Sequence, residues 1–206
     1  SMDTKKDQSY VLHMLKEKQL QRLRFPIGEI TKSQVREMAS SLSLQTAGKA
    51  DSQDVCFISR TKGGRHRFLE ERMVMTPGEV VDLQGKQIAN VPAIQMVTIG
   101  QRKGLGVSGE GEPRYAIDVD IESATVTAGS KGDLFCNETP IVNIQWIGDP
   151  VSGVIDIQTS DHGRTDKATV SEKIFWEHPH TKIAPGQSAV FYDDNKVVGS
   201  AVVSKS

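Results

Sequence analysis

The sequence predicts an α+β chain that is mainly β, with a helical N-terminal segment, a small β-rich central domain and a C-terminal antiparallel β-barrel. Three observations carry this expectation. Helical hydrophobic spacing is confined to the first third of the chain, short strand-like runs fill the remainder, and Gly, Pro, Asn and Asp separate those runs at regular intervals. The composition shifts divide the chain into residues 1–60, 61–134 and 135–206.

In the helical part, Val11, Leu12, Leu15, Leu20 and Leu23 repeat imperfectly over Tyr10 to Leu23, a helix broken once before Phe25-Pro26. Thr31 to Leu42 is cleaner. Thr31 and Gln34 make a capping box, and Val35, Met38, Ala39 and Leu42 recur at helical intervals. Val55 to Ile58 reads as a short strand, Arg60 to Arg67 as a basic loop, and Arg67 to Met73 as a short helix carrying Phe68 and Leu69. Thr76-Pro77-Gly78 opens a β region with candidate strands at Glu79–Leu83, Lys86–Ala89, Gln95–Ile99, Tyr115–Asp120 and Thr125–Thr127, a small barrel or curled sheet. From about Leu134, six further runs predict a barrel: Ile141–Trp146, Val154–Thr159, Lys167–Ser171, Lys173–Trp176, Ser188–Tyr192 and Lys196–Val203. Asp193-Asp194-Asn195 is the expected hairpin turn between the last two.

With 37% hydrophobic, 25% charged and 5% aromatic residues, the 206-residue chain has the make-up of an ordinary globular protein able to bury a core. No run approaches the ~20 apolar residues of a membrane span, and no signal-like stretch opens the chain, so a cytoplasmic location without a membrane partner is expected. Ser1-Met2 reads as a cloning remnant, and the chain as beginning inside a longer protein. A formal net charge of −1 leaves no global footprint of nucleic-acid binding. Lys16, Lys18, Arg22 and Arg24, and further on Arg60, Lys62, Arg65, His66, Arg67 and Arg72, form local basic clusters that read first as solvated faces.

The two cysteines, Cys56 and Cys136, do not make a disulfide framework. Cys56 follows the polar stretch Asp51-Ser52-Gln53-Asp54 and stands between Val55 and Phe57. It is either a buried small hydrophobe or a thiol activated by turn amides; the acidic neighbours oppose activation, and composition leaves both readings open. Lys6-Asp7-Gln8 taken alone reads as a helix start with Asp7 or Ser9 as cap, and Gln187 as a turn residue after Pro185-Gly186. The loop Gly100-Gln101-Arg102-Lys103-Gly104-Leu105-Gly106 is a hairpin connection or an approach to phosphate through its amides and Arg102. His178-Pro179-His180 has no accompanying ligands at metal spacing and reads as a surface loop, so no metal site is expected in the chain.

Several blocks follow one another in a fixed order: Lys6-Asp7-Gln8-Ser9-Tyr10-Val11-Leu12, Phe25-Pro26-Ile27-Gly28-Glu29, Lys32 with Val35-Arg36, Lys49 with Asp51-Ser52-Gln53-Asp54-Val55-Cys56-Phe57-Ile58, Thr98-Ile99-Gly100-Gln101-Arg102-Lys103-Gly104-Leu105-Gly106, and Ala184-Pro185-Gly186-Gln187-Ser188-Ala189-Val190-Phe191-Tyr192. Together they resemble the bacterial tRNA 2-thiouridylases, from about Lys5 to the C-terminus. The resemblance implies ATP-dependent 2-thiolation of the wobble uridine, with Cys56 as the catalytic cysteine that carries a persulfide. It implies that Lys6, Asp7, Gln8 and Gln187 bind tRNA at its anticodon arm. A sulfur-relay or cysteine desulfurase protein would be the donor, and the barrel would be similar to the second domain of Tu-type elongation factors. ATP and magnesium would be bound mainly by an N-terminal domain outside this chain.

Two parts of the family pattern are missing here. The sequence has no Ser-Gly-Gly-x-Asp-Ser loop to cradle ATP phosphates, and Cys136 does not stand where the family's second, upstream cysteine belongs. The chain alone is therefore expected to be inactive. The chain also departs from the family where the resemblance implies an Arg-Tyr-type pair in the barrel, which falls near Thr159-Ser160 here, and a histidine before the glycine loop, which is Val91 here. Two other readings stay open, a non-catalytic RNA-binding module and a thiol redox or interaction domain. A Cys56→Ser change that leaves thiolation intact would favour the first, and a stable Cys56–Cys136 bond the second.

Overall fold

The computed structural model describes residues 1–49, 58, 64–107, 112–161 and 163–205. The chain is mainly β and divides into two compact units: Ser1–Asp51 with Pro140–His178 and Pro185–Ser206, and Ser52–Thr139 with Pro179–Ala184.

The first unit is built on a closed six-stranded barrel. Its strands are β5 (Phe135–Trp146), β6 (Val154–Gln158), β7 (Asp166–Val170), β8 (Lys173–Thr181), β9 (Ser188–Asp193) and β10 (Lys196–Val203), in the order β10-β5-β8-β7-β6-β9. Closure leaves no strand edge unpaired. The expected hairpin turn is present: Lys196 pairs with Asp193, and Asp194 takes a positive φ of 53°, a conformation that Asp tolerates and the turn requires. Ile155, Ile157, Ile174, Phe191 and Val203 are among the buried core residues. Strand β9 departs from the in–out alternation of a one-sided sheet, since Ala189 to Tyr192 are all buried. Residues 9–13 of the N-terminal segment bond to β9 and β10, through Tyr10 to Ser188 O, Ser9 to Tyr192 Oη and the His13 carbonyl to Ser200 Oγ.

That segment has two 3-10 turns, Thr4–Lys6 and Ser9–Leu12, followed by α1 (Glu17–Leu20) and α2 (Lys32–Ser41). Helix α2 starts as its sequence dictates: Thr31 N–H donates to Gln34 Oε1 at 2.8 Å, and Gln34 N–H to Thr31 Oγ1 at 3.4 Å. The helix expected over Tyr10 to Leu23 does not form as one element. Ser9, Tyr10 and the His13 carbonyl bond to the barrel instead, which holds this stretch in a tight turn, and Val11 and Met14 are left exposed. Local periodicity has been overridden by tertiary hydrogen bonds.

The second unit contains α3 (Gly64–Glu70), three residues earlier than the short helix expected at Arg67–Met73, and a four-stranded sheet. The sheet strands are β1 (Gly78–Val81), β2 (Gln87–Val91), β3 (Tyr115–Asp120) and β4 (Thr125–Gly129), ordered β2-β1-β4-β3, with β1 and β4 parallel. Val80, Val91, Ile94, Leu105, Ala116, Val126 and Ala128 make one core. The strand expected at Gln95–Ile99 is instead a 3-10 turn, Ile94–Met96. Ile94 is fully buried and its N–H donates to Thr76 O, while the Gln95 side chain accepts from Thr76 N–H and donates to Val74 O. Met96 N–H and Val97 N–H donate to Ala93 O and Ile94 O within the turn, so these main-chain groups are not offered to a ladder. His178-Pro179-His180, expected as a surface loop, lies within β8.

Candidate functional site

The residues expected to touch RNA begin at the end of the first 3-10 turn. Lys6 closes that turn with its side chain exposed. Asp7 is half-buried and accepts the Ser9 N–H at 2.8 Å through Oδ1, while Oδ2 lies 3.3 Å from the Ser1 ammonium. Burial pushes the Asp7 carboxyl up, but the Ser9 N–H and the ammonium outweigh it and hold the group below the usual carboxylate range. Asp7 is thus an ionised turn-former. Facing a polyanion, such a group can accept only from a donor such as a base amino group or a ribose hydroxyl, not approach a phosphate. Gln8 is exposed, sits at the N-cap of the Ser9–Leu12 turn and makes no side-chain capping bond.

Gln187 lies far along the sequence and close in space. Gly186, at φ 88°, forms the turn into β9; its N–H donates to Val203 O, and Val203 N–H donates to Gln187 O, each at 2.8 Å. The Gln187 side chain is exposed. Beside it, Tyr10 Oη donates to Ser188 O at 2.9 Å, Ser9 Oγ and Tyr192 Oη are 3.4 Å apart, and Ser200 Oγ donates to the His13 carbonyl at 3.5 Å. The structure therefore joins Tyr10, two residues after Gln8, to Ser188, the residue after Gln187, within one unit. Burial pushes both phenols up, the negative charge of Asp161 adds to it, and each stays protonated and able to donate near neutral pH. Next to this seam is a cavity of about 450 Å³ lined by Leu12, Leu20, Ile147 and Val197, with Glu17 and Lys196 also in its wall.

Comparison with known proteins now places the chain. Residues 1–60 match the family model described as "tRNA methyl transferase HUP domain", residues 66–130 the "tRNA methyl transferase PRC-barrel domain", and residues 142–203 the "Aminomethyltransferase beta-barrel domain". The chain is 36% identical over 214 residues to the tRNA-specific 2-thiouridylase MnmA of Chloroflexus aggregans, covering 100% of this chain and 59% of that protein. It is 36% identical to the protein of that name from Herpetosiphon aurantiacus, covering 98% and 58%. With the one from Zymomonas mobilis it shares 34% identity, covering 100% and 56%. The chain belongs to the tRNA-specific 2-thiouridylase family. It spans a little under three-fifths of the length of the curated relatives it matches.

Several expected features of this 2-thiouridylase family chain fall elsewhere. Cys56 and its neighbours Val55 and Phe57 lie outside the described residues, and Ile58, the last residue of the strand expected there, is helical. Cys136 is a free, half-buried thiol whose Sγ donates to His180 O at 3.5 Å. The glycine loop is not a hairpin connection, since β2 and β3 lie at opposite edges of the sheet. It is tied to the start of β3, where Gly100 N–H donates to Ala116 O and Ala116 N–H donates to Gln101 O, and Leu105 is buried in the core. Arg102 and Lys103 stand exposed on it. Gly106, at φ 70°, lies so close to Asn90 O that an added Cβ would come within 2.6 Å of that oxygen. Among the described residues no group of three His, Cys, Asp or Glu could hold a metal ion, and no helix is long and apolar enough to cross a membrane. The sequence contains no Ser-Gly-Gly-x-Asp-Ser loop.

Sequence reading singled out Lys6, Asp7, Gln8 and Gln187 but passed over what joins them. Tyr10, Ser188, Tyr192 and His13 had one legible signal, the unbroken apolar run Ala189-Val190-Phe191-Tyr192, which marks a strand covered on both faces.

Proposed function

We propose that this chain is the tRNA-handling and sulfur-carrying part of a cytoplasmic tRNA-uridine 2-sulfurtransferase that acts on the wobble uridine of the anticodon. The observation that carries the reading is the joining of Lys6–Gln8 to the Gln187 turn through the Tyr10 bond to Ser188 O. Each stretch by itself is a turn; together they present amide and ammonium donors suited to an RNA backbone and its base edges.

Replacing the uridine C2 oxygen by sulfur needs a sulfur nucleophile and a leaving group better than oxide. ATP supplies the second when bound by residues that this chain does not contain. Cys56 supplies the first: its thiolate attacks the outer sulfur of a persulfide on a relay or desulfurase protein and releases that protein's thiolate. The Cys56 persulfide then displaces the activated oxygen, and a second cysteine outside this chain closes a disulfide with Cys56 to leave the sulfur on C2. Lys6, Gln8 and Gln187 hold the anticodon arm, with Asp7 shaping the turn that presents them. The division at residues 1–60, 61–134 and 135–206 puts the cysteine loop and the Lys6–Gln8 contact in the first part and the remaining RNA positioning in the other two. The chain alone forms no thiouridine.

The test uses the complete protein. Cys56→Ser should abolish 2-thiouridine in tRNA while RNA binding persists, and persulfide labelling should map to residue 56. Thiolation that survives Cys56→Ser would leave the non-catalytic RNA-binding reading in its place.

A further inference from the structure

Two phenol hydroxyls cross from distant parts of the sequence at the seam of the first unit. Tyr10 Oη reaches Ser188 O over a separation of 178 residues, and Ser9 Oγ meets Tyr192 Oη over 183. Gln8 stands two residues before Tyr10, and Gln187 directly precedes Ser188. With Cα atoms about 3.8 Å apart along the chain, both glutamines lie within a few residues of the same hydrogen bond.

The two sides of this seam are fixed to different degrees. The Gln187 turn is tied into β10 by the paired bonds of Gly186 and Gln187 with Val203. The Lys6–Gln8 stretch has no such ladder: none of the described residues 1–49 is buried, and Gln8 makes no capping bond. Its own turn bonds, Lys6 N–H to Asp3 O and Ser9 N–H to Asp7 Oδ1, are local, and the hydroxyl bonds of Ser9 and Tyr10 tie it to β9.

Resting on the tRNA reading above, we infer that Tyr10 and Tyr192 are positioning residues that clamp Lys6–Gln8 against the Gln187 turn, making the two stretches one preformed surface for the anticodon-arm backbone. A stretch fixed before binding loses no further conformational entropy when RNA arrives, and two contacts on one frame engage at high effective concentration. Both hydroxyls act through other residues, so neither ring need touch RNA.

Two measurements on the 206-residue chain test this. Without RNA, Tyr10→Phe keeps the ring and removes the donor, and should speed hydrogen exchange at the Ser9 and Val11 amides about three- to tenfold while barrel amides stay unchanged. Tyr192→Phe should act in the same direction, more weakly. With a synthetic tRNA anticodon stem-loop, Lys6→Ala and Gln187→Ala should each weaken binding and show a coupling of about threefold in a double-mutant cycle, and Tyr10→Phe should remove that coupling. Unchanged exchange in both phenylalanine variants overturns the clamp whatever RNA does. Independent losses from Lys6→Ala and Gln187→Ala in the parent chain overturn the single surface. If exchange responds as expected but the parent does not bind the stem-loop, or neither alanine variant weakens binding, the tRNA reading fails and the inference falls with it.

Discussion

The barrel and the N-terminal helical segment belong to one unit and are held by different forces. In the barrel, Ala189, Val190, Phe191 and Tyr192 are all buried in succession, and Phe191 packs on Trp146 at a centroid distance of 5.2 Å. In residues 1–49 no described residue is buried, and Met14 (73% exposed), Leu42 (68%) and Ile27 (62%) show apolar side chains to solvent. The segment is kept in place by a capping box, an Asp7 turn and hydroxyl bonds to the barrel. Burial of apolar area stabilises one region strongly, and hydrogen bonds worth about 1 kcal/mol each position the other. The region expected to meet RNA is therefore the one whose geometry depends on single hydroxyls.

The contrast predicts graded responses. Phe191→Ala should cost about 3–5 kcal/mol and move the urea midpoint of the barrel, followed by fluorescence of Trp146 and Trp176. A loss below about 1 kcal/mol would break the comparison. Gly199→Ala comes next. A Cβ there would lie 2.6 Å from Gln145 O and 2.9 Å from Trp146 Cε3, beside the bulge at which β10 shifts register, so about 1–3 kcal/mol of overpacking is expected by the same measurement. Thr31→Ala should cost about 1 kcal/mol, but locally: hydrogen exchange should rise in α2 while the barrel midpoint stays put. A shift of the barrel midpoint would show that segment and barrel unfold together.

The smallest effect is a pH dependence at His13. Burial pulls its imidazole below the ordinary value, and among the described residues its Nδ1 has no hydrogen-bond partner. The unfolded chain therefore takes up a proton at about pH 6.5, before the folded chain does. Stability is whole above that pH and declines as pH falls through the window below it, because the unfolded state then binds more protons. Exchange at the Ser9 to His13 amides, corrected for intrinsic rates, should quicken on acidification through this window. His13→Phe should remove the dependence, and an unchanged dependence would assign it to other groups.

Sequence made the barrel legible because its strands are fixed by alternation, turn chemistry and the Asp194-Asn195 hairpin, all local signals. Lys196–Val203 matched to the residue. The Thr31 and Gln34 capping box was equally readable. The Tyr10 to Leu23 stretch was not, since its conformation is set by acceptors and donors more than 170 residues away, and periodicity carries no trace of them. The Ile94–Met96 turn was missed for a similar reason: an apolar run adjoining Pro92 looks like a strand until Gln95 is seen to bond back to Thr76. At the candidate site, the resemblance supplied Lys6, Asp7, Gln8 and Gln187. Only the structure shows that Tyr10, two residues after Gln8, bonds to Ser188, the residue after Gln187.

The most direct measurement is a hydrogen-exchange footprint of an anticodon stem-loop on this chain. The account predicts protection at residues 6–8 and at residues 186–188 together, rising over the same RNA concentrations. Protection at only one of the two, or at neither, would contradict it.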